Sequence, residues 1–223
     1  MVRGDPTDGC FQREDTAVVF AINSIAIKTV GNTERILKAY AYGDCVSVRG
    51  QLYSLPRAIR KDRAHVGTIV CKKPGEGKSL PAVISLVTQY NFGKPVEENS
   101  IAQSMLETSK DYDFKRGLEN DTALGRISNF KRAMRALSDF AKDKANEKYA
   151  VYAFHCGIGR GGKMDDIWVE EYLPALKMFA EDVIEYGITV LITTAIDFSE
   201  IPSQVRDLSA SSYKVGMIRG GEI

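Results

Sequence analysis

The chain predicts an α/β fold: a three-layer α/β/α sandwich around a mixed, mostly parallel sheet of about six strands. Three observations lead there. In the second half, short apolar runs alternate with helix-like stretches, the pattern of a parallel sheet covered on both faces. In the first half, two apolar runs flank a turn and add a hairpin-like pair, which makes the sheet mixed. Finally, the run Tyr149 to His155 feeds a glycine-rich turn that opens a helix-like stretch.

Each element has its own signal. Ala17 to Ile22 is a short run of β-branched, aromatic and small apolar residues, read as a buried strand. Thr33 to Tyr42 reads as a helix, with Thr33 as N-cap and Glu34 in the first turn. Val66 to Cys71 and Ala82 to Thr88 are two further strands, separated by the turn Pro74-Gly75-Glu76-Gly77. Lys94 to Asp121 is polar and mixed in charge, and reads as a surface insertion with one short helix near Ser100 to Thr108. From Gly125 to Ala145, Ile127, Phe130, Met134, Leu137 and Phe140 recur at three- and four-residue steps, the stripe of an amphipathic helix facing a core. The strand Tyr149 to His155, a helix to about Ile184 and the strand Ile188 to Thr194 follow. The tail Ser199 to Ile223 holds one more candidate strand, Tyr213 to Ile218, expected to join the main sheet and protect an edge.

Composition narrows the class. At 223 residues the chain reads as one domain over 1–223, with a polar insertion at about 94–121 and a C-terminal extension at about 199–223. Thirty basic against 29 acidic residues leave a charge of +1, so nothing calls for nucleic acid or an anionic membrane as a bulk partner. No apolar run is long enough to span a bilayer, and MVRGDPTDG does not read as a signal peptide. Cys10, Cys45, Cys71 and Cys156 are scattered and, with two histidines, give no zinc pattern. Free thiols suit a reducing compartment, so an intracellular protein is expected. The sequence implies no cofactor and leaves the oligomeric state open.

The most informative segment is YAVYAFHCGIGRGGKMDDIW, residues 149–168. Gly157, Gly159, Gly161 and Gly162 lie within six residues between a strand and a helix. Glycine lets backbone N–H groups approach an anion, and a following helix N-terminus adds partial positive charge. The segment therefore points to a nucleotide or phosphosugar. The spacing Gly157-x-Gly159-x-x-Gly162 also spells the dinucleotide fingerprint. That motif belongs to the first strand of its unit, with an acid closing the next strand. Here Glu181 and Asp182 fall at the acid's distance but inside a helix-like run. Gly77-Lys78-Ser79 imitates the end of a P-loop, yet Lys72 stands where its first glycine belongs and a β-rich run follows.

Four separated segments together resemble the macro domain family, the ADP-ribose-binding fold. Gly4-Asp5-Pro6-Thr7 resembles the family's G-D-I-T, and Val19-Phe20-Ala21-Ile22-Asn23-Ser24 its V-N-A-A-N. Leu86-Val87-Thr88-Gln89 matches a third motif, and Gly157 to Trp168 the late glycine loop with its tryptophan. The resemblance covers roughly residues 4 to 195. It implies that Asp5 accepts from the adenine amine and that Asn23 meets the distal ribose. It further implies that Ile158, Gly159, Arg160, Gly161 and Gly162 wrap the diphosphate, Arg160 adding charge, with Phe92 near the base or ribose. Hydrolysis of an ADP-ribosyl linkage or of ADP-ribose 1″-phosphate is the implied activity, with Asn23 orienting a hydroxyl or water and Asp165 or Asp166 as base. A non-catalytic reader of ADP-ribose or a related nucleotide is the alternative. The partner is accordingly ADP-ribose or an ADP-ribosylated substrate. Three departures stand out: Phe20 replaces the first asparagine, the stretch Ser24 to Asn32 has one glycine, and only Met1 to Arg3 precede Gly4.

Overall fold

The computed structural model describes residues 2–3, 11, 13–24, 65–73, 80–91 and 93–194, with residues 2, 3 and 72 described in backbone only. Its centre is a six-stranded sheet. The strands are β1 (Val2–Arg3), β2 (Thr16–Asn23), β3 (Ile69–Lys72), β4 (Ala82–Gln89), β5 (Val151–His155) and β6 (Thr189–Thr194). They lie in the order β1-β6-β5-β2-β4-β3. Every neighbouring pair is parallel except β3 with β4, which is antiparallel. The mixed, mostly parallel sheet read from the sequence is therefore the one found. Val2 and Arg3, just ahead of Gly4, supply β1, which pairs Val2 with Thr193 and Arg3 with Thr194.

Period-two alternation explains how one short strand feeds two cores. Ala17 and Val19 of β2 point to the face that also holds Ile84, Leu86 and Phe154. Val18, Phe20 and Ile22 point to the other face, with Val83, Val87, Ala153 and Phe11. Phe20, standing where the family motif has asparagine, is thus a core residue, 3% exposed.

The first face is covered by two helices, α3 (Ala123–Lys142) and α4 (Leu173–Val183). α3 connects β4 to β5, and α4 connects β5 to β6. Both crossovers step the same way along the sheet, so right-handed connection puts both helices on one face. Phe130, Met134 and Leu137 of α3 bury against Leu176 and Phe179 of α4, as the apolar periodicity predicts. Ile127 and Phe140 flank that core half-buried. Each fully buried side chain of this size contributes about 1.5–3 kcal/mol. Thr122 starts α3 by accepting from the Gly125 N–H at 2.9 Å.

The polar segment before α3 departs from the sequence reading. It holds two helices where one is expected: α1 (Ser100–Thr108), capped by Asn99, and α2 (Tyr112–Glu119), capped by Asp111. The second lacks a conspicuous apolar run, and only Leu118 of α2 is buried, packed with Val96 and Ala102. The expected helix at Thr33 to Tyr42, the turn Pro74 to Gly77, the motif Gly77-Lys78-Ser79 and the strand Tyr213 to Ile218 lie outside the described residues.

Candidate functional site

Open α/β sheets bind ligands in the crevice at the carboxyl ends of their strands, where the strand order reverses. From β2 the described chain continues to β4 and β3 on one side and then returns to β5 and β6 on the other. The crevice therefore lies between β2 and β5. Asn23 ends β2, and the glycine loop follows β5.

Asn23 is 8% exposed, and its Oδ1 is buried with no hydrogen-bond partner among the described residues. The β2–β4 register slips between Ile22 and Asn23, an irregularity that re-aims the side chain at the strand end. A buried amide oxygen left without a donor costs about 1–3 kcal/mol. An arriving hydroxyl would recover it.

The glycine loop is defined by backbone geometry. Gly157, Gly159, Gly161 and Gly162 have φ of 74°, 83°, 66° and 88°, all in the left-handed region. The turn closes on itself: the Arg160 and Gly162 N–H groups both donate to Gly157 O at 3.0 Å, and the Ile158 N–H donates to His155 O at 3.1 Å. Among the described residues the N–H groups of Gly159 and Gly161 meet no acceptor. Two such donors in a turn of alternating handedness form an anion-binding concavity. The glycines differ in what surrounds them. A Cβ on Gly157 would lie 2.2 Å from the Gly162 carbonyl carbon, and one on Gly159 2.6 Å from the Tyr172 ring. One on Gly161 would meet nothing within 4 Å. Gly157 and Gly159 hold the loop's shape, whereas Gly161 faces open space.

Trp168 fastens the loop from below. It is fully buried, and its indole Nε1–H donates to Ile158 O at 3.1 Å. Two residues into the helix that follows the loop comes a π turn, Trp168–Tyr172, closed by the Leu173 N–H donating to Trp168 O. Tyr172, on the same turn, packs against Phe130 with the rings tilted by 56° and 4.8 Å between centroids, and supports Gly159.

The predicted charged residues are brought together, but with each other. Arg160 Nη2 lies 2.5 Å from Asp165 Oδ2, and Arg160 Nε 3.4 Å from Oδ1. Asp165 Oδ1 also accepts from the Trp168 N–H at 3.0 Å. The Arg160 guanidinium, then the Trp168 N–H, hold the Asp165 carboxyl below its ordinary range, and Asp165 raises Arg160 in turn. Asp165 is therefore ionised and occupied. Asp166 is exposed, at the first helical position. His155 Nδ1 lies 2.6 Å from Cys156 O, so that nitrogen carries the proton. Burial pushes the Cys156 thiol up to about 12, which makes it a poor nucleophile at the loop's root. Cys71, also free, is pushed up to about 11. Asp5 and Phe92 lie outside the described residues. No cluster of three or more His, Cys, Asp or Glu among the described residues is placed to hold a metal, and no described helix is long and apolar enough to cross a membrane.

Sequence reasoning missed two features on the β4 side of the crevice. One is a buried ion pair, Arg126 with Asp121 at 2.7 Å, 7% and 2% exposed. Arg126 also donates to the carbonyls of Asn91, Gly93 and Lys94, while the Asp121 carboxylate accepts from the Tyr90 and Asn91 N–H groups. The pair clamps the loop after β4. The other is a cavity of about 670 Å³ between α2, α3 and the segment before β3, reached by Ser24. A polar face on α3 and an aspartate just before its N-cap were the available signals.

No protein-family sequence model matches the chain, and no curated protein sequence does. Solved structures do. The macro domain of ganglioside induced differentiation associated protein 2 is 12% identical and aligns over 96% of this chain and 84% of its own, with a TM-score of 0.54. A mutant of the Oceanobacillus iheyensis macrodomain with ADPR is 15% identical over 94% of this chain and 92% of its own, at a TM-score of 0.50. Alphavirus P23pro-zbd is 12% identical, and 99% of this chain aligns with 25% of that one, again at 0.50. The chain has the macrodomain fold.

Proposed function

We propose that the protein binds ADP-ribose, free or carried on a substrate, across the carboxyl ends of β5 and β2. The observation that carries this reading is the buried, unpartnered Oδ1 of Asn23 beside a glycine loop with two unaccepted N–H groups. Diphosphate oxygens suit the Gly159 and Gly161 N–H groups, and a ribose hydroxyl suits the Asn23 amide, which both donates and accepts. The solved macrodomain with ADPR supports the ligand class. Asp5 as the adenine acceptor and Phe92 as a ring near the base or ribose complete the proposal, within a single domain over 1–223.

Hydrolysis of an ADP-ribosyl linkage or of ADP-ribose 1″-phosphate is the catalytic form of this proposal. In it Asn23 orients the reacting hydroxyl or water and Asp166 is the remaining acid near the loop. Asp165 serves as a positioning residue, holding Arg160 at the loop, because its oxygens are taken by Arg160 and the Trp168 N–H. That occupancy favours the second reading, a non-catalytic reader. Calorimetry with ADP-ribose and AMP tests binding: ADP-ribose is expected to bind at least tenfold more tightly, and equal affinity would sink the site as drawn. Release of ADP-ribose from a modified substrate, measured for wild type and Asn23→Ala, separates enzyme from reader.

A further inference from the structure

The cavity beside α2 and α3 begins where the proposed ligand would end. Ser24, one of its lining residues, directly follows Asn23 at the carboxyl end of β2. Asn23 is the group assigned above to a ribose hydroxyl, so the cavity continues the same cleft past that ribose. Its volume of about 670 Å³ is more than one ribose fills. What occupies the remainder is whatever the distal ribose is attached to.

The walls of this extension are fixed. The segment before β3 is stitched to the sheet: the Gly67 N–H donates to Val87 O at 2.7 Å, and the Val87 N–H to Thr68 O at 2.9 Å. The Thr68 hydroxyl donates back to His65 O at 2.6 Å. Across from it, Arg132 Nη2 on α3 donates to Val66 O at 2.9 Å, and the guanidinium lies against Gly67, whose added Cβ would come 2.7 Å from Cζ. On α2, Gly117 admits the Tyr90 ring where any other residue's Cβ would clash. The rim is exposed, with Arg116 and Asn120 on α2 and Ser128 and Arg132 on α3, whereas Ser24 and Asn129 are buried. A groove open along its rim lets an attached chain leave toward solvent.

Its charge is uneven. Arg116 and Arg132 make no ion pair among the described residues, and Asp113, one turn before Arg116, is the single acid among the described lining residues. We propose, resting on the ADP-ribose reading above, that this groove receives the polypeptide on which ADP-ribose is carried and selects an acidic sequence around the modified residue. Each guanidinium offers a carboxylate paired N–H donors, and one on each helix suits acidic side chains on either side of the attachment point. A nucleic-acid strand fits less well. It needs a continuous track of cations, and here Asp113 and Glu119 of α2 interrupt it.

Calorimetry on the full chain tests the proposal. The probes are free ADP-ribose and three peptides that carry ADP-ribose through a non-hydrolysable linker, flanked on both sides by Glu, Gln or Lys. The Glu-flanked peptide is expected to bind at least fivefold more tightly than the Gln-flanked one, and the Lys-flanked peptide most weakly. The spread should shrink as salt is raised. Arg116→Gln with Arg132→Gln is expected to abolish the preference and to leave the affinity for free ADP-ribose within twofold of wild type. Arg116→Glu alone, at an exposed position with no ion pair to lose, is expected to shift the preference toward the Lys-flanked peptide, and circular dichroism checks that both variants fold. Equal affinity for the three peptides, or a preference that survives in the double variant, overturns this proposal while normal binding of free ADP-ribose leaves the first reading standing. An oligonucleotide carrying ADP-ribose that binds more tightly than the Glu-flanked peptide overturns it too, in favour of a nucleic-acid carrier. No binding of free ADP-ribose overturns both readings.

Discussion

Two loops flank the end of β2, and they are held in place by different physics. The glycine loop after β5 is held by packing and backbone shape: Gly159 rests on Tyr172 and Phe130, and Ile158 O accepts from Trp168. The loop after β4 is held by charge: Arg126 donates to three of its carbonyls, and Asp121 takes two of its N–H groups. Packing tolerates small repairs. A buried ion pair does not, because losing one member strands the other. The two sides of the crevice should therefore fail in different ways.

The largest effect is expected on the charged side. Asp121→Ala leaves the Arg126 guanidinium buried without its counterion and should cost about 3–5 kcal/mol in urea unfolding. Replacing both, as Asp121→Leu with Arg126→Met, should cost much less. A single-variant loss below about 1 kcal/mol would show that water reaches the pair.

On the packed side, Gly159→Val forces a β-branched residue into a φ of 83° and a Cβ into the Tyr172 ring. Overpacking of this kind costs about 1–3 kcal/mol, and ADP-ribose binding should be lost with it. A folded variant with wild-type affinity would falsify the loop's role in binding.

Gly161→Ala separates shape from access, since its Cβ meets no protein atom. The left-handed backbone costs alanine about 1–2 kcal/mol, so the protein should stay folded while ADP-ribose affinity falls. Unchanged affinity would place the ligand away from Gly161.

Smaller again is Trp168→Phe, which keeps a ring but drops the donor to Ile158 O. One hydrogen bond of this kind is worth about 0.5–1.5 kcal/mol. Thermal unfolding should show that loss, and a larger loss would mean that indole volume dominates.

The smallest effect concerns Asp165. Its carboxyl is held below the ordinary range by Arg160 and the Trp168 N–H. A depressed carboxylate contributes stability above its unfolded value, and the contribution disappears as pH falls through its folded value. Asp165→Asn should therefore change stability slightly at neutral pH and flatten the decline below about pH 4. An identical acid profile in the variant would show that the pair contributes nothing.

The parts that packing decides were legible in the sequence. β2, β4 and β5 are short apolar runs, and the stripe from Ile127 to Leu137 announces α3 without any contact being known. The glycine loop was legible because positive φ restricts residue choice, and Asn23 was reached through the family resemblance. The clamp was not. Asp121 and Arg126 look like ordinary surface charges, and their partners are backbone groups of residues 90–94, which carry no side-chain signature. The tie between Arg160 and Asp165 was missed for a similar reason. Each reads separately as a ligand-facing charge, and only their approach to 2.5 Å shows that they answer each other first. The cavity was hidden because a polar stripe on a helix normally means solvent.

The π turn at Trp168–Tyr172 has a consequence for how the molecule can change. One residue more than an α-helical turn requires displaces the helix by about 100° in phase. Ahead of the turn, the phase is set by the loop, through Trp168 under Ile158. Beyond it, the phase is set by the sheet, through Leu176 and through Phe179 against Phe154. The helix works as a coupling with one slipped tooth, so each end keeps its own timing. Removing a single residue from 168–172 would lock the two ends into one phase. The chain would then have to give up either the tryptophan's seat beneath the loop or the phenylalanine's seat against the sheet.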